Sequence, residues 1–368
     1  MYAVYFLFGL IAFVFLYYLI KVVGWIRQWK KDQIQWPEGD IQGVSIVVPF
    51  RNEKENLIVY LPQLVKQLKG YEDVELIFIN DHSTDGGEEV VRQAMDAQIH
   101  CYDAQYDGKK RAVQQGVSVA KYPYIVTLDA DIELPSSWLE AIIQATRLNV
   151  DFGILPLMVK PLSGLFAQLQ YVEFLSLLAT TGASAMEGRP LMCNGAHLLF
   201  KKKFYEKNQH RLNFDVSSGD DMFLMESLTE DDTMNYFTNL SLLATMNPET
   251  SLRTLIRQRI RWAGKTRYLR SGYIRLFGTA VVLLQVGFWF LLVLSLTTEC
   301  SFGFLILFFL IKMFFDLWLL QVAATRFKIT FSTSYGVLLS LVYPVYAFLI
   351  PLLSLFVTPQ WKGRKISV

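Results

Sequence analysis

Tyr124-Ile125-Val126-Thr127-Leu128-Asp129-Ala130-Asp131 is the stretch that decides the fold of this chain. A largely apolar, strand-forming run is followed directly by two carboxylates separated by one alanine. Because successive side chains of an extended backbone alternate, Asp129 and Asp131 point to the same side, at a strand end where open α/β sheets bind ligands. The stretch therefore predicts a buried strand with a metal or phosphate site, although an Asp-X-Asp triplet alone also fits a turn or a cap.

Two earlier apolar runs end in polar residues in the same way. Val44–Val48 precedes Arg51, and Leu76–Ile79 precedes Asp81. Apolar residues at helical spacing predict helices between the runs, near 55–68, 87–97 and 110–120. This β-α-β-α-β order favours a parallel sheet, so we expect these two side chains and both aspartates of the opening stretch in one crevice.

Basic residues can supply the phosphate contacts that such a crevice needs. The chain has neither a G-x-G-x-x-G nor a Walker pattern, which argues against a dinucleotide enzyme or a nucleotide hydrolase. A bound nucleotide would need a metal ion and cationic side chains. Gly108-Lys109-Lys110-Arg111 can provide the cations at the start of a predicted helix, whose amides also favour anions.

The ends of the chain carry an apolar excess that is typical of membrane proteins. Of the 368 residues, 52 % are hydrophobic, and long apolar runs lie near 2–20, 276–296, 302–323 and 334–357. Lys21, Arg27, Lys30 and Lys31 follow the first run, so the positive-inside rule predicts a cytosolic central domain. The net charge of +2 does not indicate nucleic-acid binding, and the cysteines and histidines lack metal-binding spacing.

The C-terminal apolar region raises two further expectations. Three crossings would leave the basic tail outside, against the same rule, so we expect Pro344 and Pro351 to bend the last segment into a re-entrant loop. Lys312 and Asp316 lie four residues apart in an apolar run, which favours an intrahelical ion pair over a functional site.

Polar motifs continue beyond the third strand. A predicted strand at 193–200 contains Gly195, which indicates close approach of a backbone or a ligand. Gly219-Asp220-Asp221 fits a general base and equally a helix N-cap at Ser218 or Asp220. The segment 253–270 is basic and amphipathic, as in helices on an anionic leaflet, and 162–179 is a second candidate interfacial helix.

Five motifs in order resemble those of membrane-bound family-2 glycosyltransferases, such as cellulose, chitin and hyaluronan synthases and ceramide glucosyltransferase. They are Asn80-Asp81-His82-Ser83, Gly108-Lys109-x-x-Ala112, Asp129-Ala130-Asp131, Gly219-Asp220-Asp221 and Gln258-x-x-Arg261-Trp262. The resemblance covers about 44–262. It implies a GT-A-type fold with a mixed, mainly parallel sheet, and an inverting transfer from a nucleotide-diphosphate sugar, most simply a UDP-sugar.

The resemblance also implies a role for each matching residue. Asp81, Lys109, Arg111 and Asp129 would bind the nucleotide sugar, and Asp131 with Asp129 would hold Mg²⁺ or Mn²⁺ at the diphosphate. Arg51 joins the nucleotide-sugar site because of its position at a strand end. Asp221, with Asp220 beside it, would be the base that deprotonates the acceptor. Gln258, Arg261 and Trp262 would line the acceptor side near the diphosphate.

These expectations give a domain plan and a function. The plan is an N-terminal anchor at 1–23, a cytosolic GT-A domain at 42–250, an interfacial segment at 251–272, a membrane region of about three segments at 273–358 and a basic tail at 359–368. We expect a metal-dependent enzyme of a bacterial inner membrane that moves a hexose or N-acetylhexosamine to a membrane lipid, a lipid-linked acceptor or a glycan. The alternatives are a processive polysaccharide synthase, a non-catalytic nucleotide-sugar-binding protein and a membrane phosphotransferase.

Overall fold

The computed structural model describes residues 2–31, 38–214, 216, 219–296, 300–357, 360–361 and 364–365. These residues form two compact units. The sheet unit comprises the described residues of Gln33–Lys160, Met192–Pro248 and Thr358–Val368. The helical unit comprises those of Met1–Asp32, Pro161–Leu191 and Glu249–Val357.

The strands belong to the sheet unit. They are β1 (Val44–Phe50), β2 (Val74–Asn80), β3 (Ile99–Asp103), β4 (Tyr124–Leu128), β5 (Ile132–Glu133), β6 (Phe152–Ile154), β7 (Leu157–Val159), β8 (His197–Lys201), β9 (Met234–Tyr236), β10 (Ala244–Met246), β11 (Gln360–Trp361) and β12 (Arg364–Lys365). The main sheet has the order β3-β2-β1-β4-β8-β6-β9, a smaller sheet has the order β5-β10-β7, and β11 pairs with β12.

The main sheet is mixed, as expected. β1 runs parallel to both β2 and β4, and β2 runs parallel to β3. The strand direction then reverses at β8, which is antiparallel to both β4 and β6. β1, β2 and β4 are buried along their whole length, as is usual for parallel strands covered on both faces. The sequence did not predict β3, an edge strand whose last two residues are exposed.

The α-helices lie in both units. They are α1 (Tyr2–Trp29), α2 (Lys54–Leu68), α3 (Gly87–Arg92), α4 (Lys109–Val119), α5 (Trp138–Ala145), α6 (Leu165–Met186), α7 (Lys202–Asn208), α8 (Asp220–Met225), α9 (Leu252–Lys265), α10 (Gly272–Ser295), α11 (Cys300–Arg326) and α12 (Thr333–Ser354). Short 3₁₀ turns follow α5, α7 and α9, and another precedes β10.

Helical spacing of apolar residues explains how the sheet is covered. α2 buries Leu57, Leu61, Leu64 and Leu68, which recur at the spacing of one helix face. α4 approaches β1 closely at Gly116, where an added Cβ would lie 2.4 Å from a methyl of Val47. These contacts hold the first residues of α4 next to the strand ends.

The helical unit contains four helices that are long and apolar enough to cross a membrane, counted over the described residues. Their qualifying parts are Phe6–Trp29, Gly272–Ser295, Phe302–Arg326 and Thr333–Ser354. Within this unit α1 packs on α10 and α11, and α12 packs on α9 and α10. Many of their large apolar side chains, such as Phe6, Leu276 and Phe304, are exposed, as lipid-facing helices require.

Two membrane-region expectations have opposite outcomes. The expected intrahelical pair is confirmed, because Lys312 Nζ lies 2.5 Å from Asp316 Oδ2. The Tyr18 hydroxyl of α1 donates to the other oxygen of that carboxylate at 2.6 Å. The re-entrant loop is wrong, since α12 is one continuous helix through both Pro344 and Pro351. A proline removes a single N–H, and packing against neighbouring helices can compensate for that loss.

The helix predicted at 162–179 is present as α6. α6 begins at Leu165 and extends to Met186, and most of its residues from 170 to 185 are buried. It packs against α1, α11 and α12 inside the helical unit. The apolar run therefore serves helix packing on several sides, and its position at a membrane surface stays a prediction.

Candidate functional site

The end of β4 holds Asp129 by its backbone and by its side chain. The Asp129 amide donates to the Ala196 carbonyl at 3.1 Å, continuing the pairing of β4 with β8. Its carboxylate oxygen Oδ1 lies 2.5 Å from Lys109 Nζ. Lys109 is the first residue of α4 and follows Gly108, whose φ of 100° favours glycine. Asp129 and Lys109, predicted together from distant segments, are therefore brought together.

Lys109 is the centre of an acidic group. Burial lowers the pKa of its ammonium, but attraction to Asp129, Asp220 and Asp221, with the hydrogen bond that it donates to Asp129, raises the pKa overall. The ammonium also donates to the Gly195 carbonyl at 3.3 Å. Lys109 therefore stays charged among three carboxylates, two of them from the start of α8.

Gly195 marks a close approach to Asp221, as the sequence predicted for a backbone or a ligand. A Cβ at Gly195 would lie 3.2 Å from Asp221 Cβ and 3.4 Å from its Cγ. Asp221 itself is only 6 % exposed. The Asp221 side chain therefore packs against the backbone of Gly195, and any larger residue at 195 would displace it.

The helix-cap alternative for this motif fails in one of its two forms. The N-cap residue of α8 is Gly219, at a φ of 93°, and it makes no side-chain cap bond. Asp220 is the first helical residue and does not fill the cap position. Ser217 and Ser218 lie outside the described residues, as does Asp215.

Lys110 is a part of this site that the sequence did not single out. Its ammonium is buried and donates to three carbonyls, those of Leu212, Asn213 and Val216, at 2.9, 2.9 and 2.7 Å. It also lies 4.9 Å from the ring centroid of Phe223 in α8. Lys110 therefore ties α4 to the segment that leads into Asp220 and Asp221. A lysine in a row of three cations gave no indication of this role.

Arg111 also faces this segment. Its guanidinium carbon lies 3.8 Å from the centroid of the Phe214 ring, and it donates to Gln114 at 3.1 Å. Stacking on an aromatic ring is a common use of the planar guanidinium. The nucleotide-binding role expected for Arg111 stays a prediction, and the observed contact is with the protein.

Asp81 lies at the next strand end and is 1 % exposed. Arg51 Nη1 donates to its carbonyl at 2.8 Å and approaches its Oδ1 at 4.0 Å, while the Gly108 amide donates to that oxygen at 3.1 Å. The expected convergence of Arg51, Asp81 and the start of α4 is therefore observed. Asn80 is different, because its amide nitrogen donates to Glu88 and Asp103 and so fixes the strand end itself.

One group of side chains in the described part of the chain could hold a divalent cation, and it is not the predicted pair of aspartates. Asp81, His82 and Asp107 present ligand atoms that all lie within 4.8 Å of one another, and no other such trio occurs in the described part of the chain. At Asp129, the Lys109 ammonium already acts as a cation on the carboxylate, and three acidic groups face that one positive charge. Hard oxygen ligands of this kind are what Mg²⁺ and Mn²⁺ prefer. The ligand role of Asp129 and Asp131 stays a prediction.

Gln258, Arg261 and Trp262 lie on α9 in the helical unit, while the residues described above belong to the sheet unit. All three are partly buried. Trp262 packs edge-on against Phe174 of α6, with ring centroids 5.9 Å apart. Their acceptor-side role stays a prediction.

Comparison with known proteins finds a family model that matches part of the chain. Residues 45–207 match the family model described as "Glycosyl transferase family 2". This range includes Arg51, Asp81, Lys109, Arg111, Asp129 and Asp131. The α8 and α9 motifs lie beyond it, so their assignment depends on the chain's own sequence and geometry.

Curated relatives carry the name poly-beta-1,6-N-acetyl-D-glucosamine synthase. The chain is 28 % identical over 251 residues to the protein from Staphylococcus aureus strain COL, covering 64 % of this chain and 56 % of the relative. It is 24 % identical over 238 residues to the one from Staphylococcus epidermidis, covering 61 % and 54 %. The chain thus spans a little over half the length of these relatives.

A solved structure shows the same fold. It is the mannosyltransferase PcManGT from Pyrobaculum calidifontis in complex with GDP-Man and Mn²⁺, with a TM-score of 0.56 and 15 % identity. The alignment covers 87 % of this chain and 96 % of that one. The expected GT-A-type architecture is therefore confirmed.

Proposed function

We propose that this chain, which carries a family 2 glycosyltransferase domain over residues 45–207, is a membrane-bound enzyme that uses a nucleotide-diphosphate sugar. It transfers a hexose or an N-acetylhexosamine, most simply from a UDP-sugar, to a membrane-associated acceptor. One observation carries the proposal. The Lys109 ammonium pairs with the carboxylate of Asp129 at the end of β4 and is attracted to the carboxylates of Asp220 and Asp221 in α8.

The chemistry assigned to these residues is an inverting displacement. Asp221 takes the proton of the acceptor hydroxyl, whose oxygen bonds to the anomeric carbon from the face opposite the diphosphate. The bond from that carbon to the diphosphate oxygen breaks, and its electron pair leaves with the nucleotide. Lys109 offers positive charge to the departing diphosphate. Gln258, Arg261 and Trp262 carry the acceptor role on the resemblance of their motif alone.

Asp81, Arg51, Arg111 and Asp129 take the nucleotide part of the donor in this proposal. The burial of Asp81 and its contacts with Arg51 and Gly108 support a preorganised pocket for the base or ribose. A bound Mg²⁺ or Mn²⁺, held by Asp131 with Asp129, would stabilise negative charge on the diphosphate. The Mn²⁺ bound in the PcManGT complex is consistent with this choice of ion.

The acceptor has two candidate forms. A membrane region of four candidate spans is small for a polymer channel, which favours a lipid or lipid-linked acceptor. The names of the curated relatives favour a second candidate, a processive polysaccharide synthase. For both, the basic residues that follow the first apolar run, Lys21, Arg27, Lys30 and Lys31, support a catalytic domain on the cytosolic side of a bacterial inner membrane.

Product analysis with a panel of donors tests the proposal. Purified membranes are incubated with radiolabelled nucleotide sugars, with and without a chelator, and lipid-soluble product is separated from polymer. We expect one donor to be consumed in a metal-dependent reaction, with label in the organic phase. Polymeric product would establish the synthase, whereas no turnover of any donor would contradict the enzyme.

Replacing the proposed base separates catalysis from binding. Asp221→Asn should lower kcat by roughly a hundredfold or more, the scale of general-base catalysis, while donor binding measured by calorimetry persists. Asp220→Asn should retain turnover. The matched control is Glu75→Gln, a buried carboxylate that accepts from Ser45 and the Lys121 amide near the amino end of β2. Retained turnover in Asp221→Asn would refute the assignment.

A further inference from the structure

A buried ion pair lies inside the α9 motif, on a residue that the motif does not specify. Arg259 follows Gln258 directly, and its Nε and Nη2 donate to the two carboxylate oxygens of Glu173 in α6, both at 2.8 Å. Arg259 is 4 % exposed and Glu173 is 7 % exposed. A two-pronged contact of this kind fixes the plane of the guanidinium as well as its position.

The same guanidinium contacts two residues of the motif. It donates to the side-chain oxygen of Gln258, and its central carbon lies 4.2 Å from the centroid of the Trp262 ring. The ring of Phe174, the residue after Glu173, lies 5.2 Å from it and packs edge-on against Trp262. Once Arg259 is fixed by Glu173, both Gln258 and Trp262 have a defined surface to pack on.

A third helix fixes the carboxylate. The hydroxyl of Tyr346 in α12 donates to Glu173 Oε1 at 2.6 Å. Burying two charges costs desolvation energy that apolar side chains would avoid, so an ion pair is a poor choice if helix packing were its only purpose. Planarity and multiple hydrogen bonds, in contrast, are what a device for orienting neighbours requires.

We propose that Glu173, Arg259 and Tyr346 are positioning residues that orient Gln258 and Trp262 for the acceptor. This inference rests on the proposed function, because it assumes that the motif handles the acceptor. It predicts that disturbing the ion pair impairs use of the acceptor more than use of the donor. When the acceptor is not correctly oriented, a larger fraction of the nucleotide sugar should be hydrolysed by water.

Conservative variants separate orientation from charge balance. Arg259→Lys keeps the buried charge but loses the planar fork and the face that stacks on Trp262. Tyr346→Phe keeps both charges paired and removes one hydrogen bond from Glu173. The matched control is Tyr18→Phe, which removes a 2.6 Å hydrogen bond to Asp316, the carboxylate of the Lys312 ion pair.

The readouts are the KM for acceptor, the KM for donor and the ratio of transfer to donor hydrolysis. We expect Arg259→Lys to raise the acceptor KM roughly tenfold, the effect of one lost hydrogen bond to a charged group, and to raise the hydrolysed fraction. Tyr346→Phe should shift both values in the same direction by less. Donor KM should stay unchanged, and Tyr18→Phe should leave all three values at wild-type levels.

The outcomes distinguish the inference from the function on which it rests. If the wild type turns over no nucleotide sugar, the proposed function fails and the inference fails with it. If the wild type is active and both Arg259→Lys and Tyr346→Phe behave like Tyr18→Phe, the positioning role is refuted while the function stands. If Arg259→Lys does not fold, Tyr346→Phe decides the question, since it leaves both charges paired.

Discussion

At the scale of single residues, neighbours in sequence have separate tasks. Lys109 and Lys110 are the first two residues of α4, and consecutive helical side chains point about 100° apart. One therefore reaches Asp129, and the other reaches the carbonyls before α8. Lys110 binds no substrate in our proposal. We expect the site to depend on it because it binds carbonyls in the segment that leads to Asp221.

Lys110→Met tests this ordering role. The change keeps an unbranched side chain, one atom shorter, but removes the ammonium that donates to three carbonyls, at a cost of about 1–3 kcal/mol for each that is left unsatisfied and buried. We expect kcat to fall at least about tenfold with donor affinity retained, measured by turnover and calorimetry. Lys202→Met is the control, since Lys202 donates to the Ala120 carbonyl beyond the other end of α4. Equal losses in both variants would show a general stability effect.

At the scale of elements, a buried histidine supports the strand that ends at Asp129. His197 of β8 pairs with Leu128 of β4 and is fully buried. Its Nε2 lies 2.9 Å from the donor Trp138 Nε1, so its Nδ1 carries the proton and donates to the Pro156 carbonyl at 3.1 Å. Burial lowers its pKa from 6.5 to about 4, although the Pro156 bond opposes the shift.

This lowered pKa predicts acid sensitivity. The neutral imidazole stabilises the fold fully above pH 6.5, and protonation of the unfolded chain withdraws that stability as the pH falls from 6.5 towards 4. Between pH 7 and pH 5 we expect a loss of about 2 kcal/mol, seen as a lower Tm of the detergent-solubilised protein. His197→Gln should remove this part of the pH dependence. An equally steep Tm profile in the variant would contradict the assignment.

At the scale of the whole molecule, two units with different solvents share one chain. The sheet unit buries its central strands along their whole length, whereas the helical unit exposes large apolar side chains along four long helices. Our proposal places the catalytic part of the sheet unit, β1 to β10, in the cytosol, with α10 crossing outward and α11 returning. The proposal therefore predicts the side of the membrane on which each exposed loop lies.

Cysteine labelling tests the sidedness. Cys101 and Cys193 are buried, so a Cys300→Ser background leaves exposed positions free for single substitutions. Ala97→Cys, in the loop before β3, should react with a membrane-impermeant maleimide only after the cells are permeabilised. Leu296→Cys, which follows α10 and is 80 % exposed, should react in intact cells. The reverse pattern would show that the catalytic domain lies outside.

The sequence by itself determined the strand ends, the apolar spans and the order of the motifs. Periodicity and the polar residues that end a strand are local properties, so the order of residues along the chain is enough to assign Arg51, Asp81 and Asp129 to one edge of the sheet. The pair of Lys312 and Asp316 was predictable for the same reason, being four residues apart in one helix. The family resemblance added roles for these residues but no contacts.

Only the tertiary structure decided which charges are buried and what they hold. Lys110 meets a carbonyl 106 residues away, and Arg259 meets a carboxylate 86 residues away. It also decided that α6 is a packed helix and that α12 continues through its two prolines. Such pairings depend on how elements pack, and a basic residue in a basic run has the same local pattern whether it faces water or a buried carboxylate.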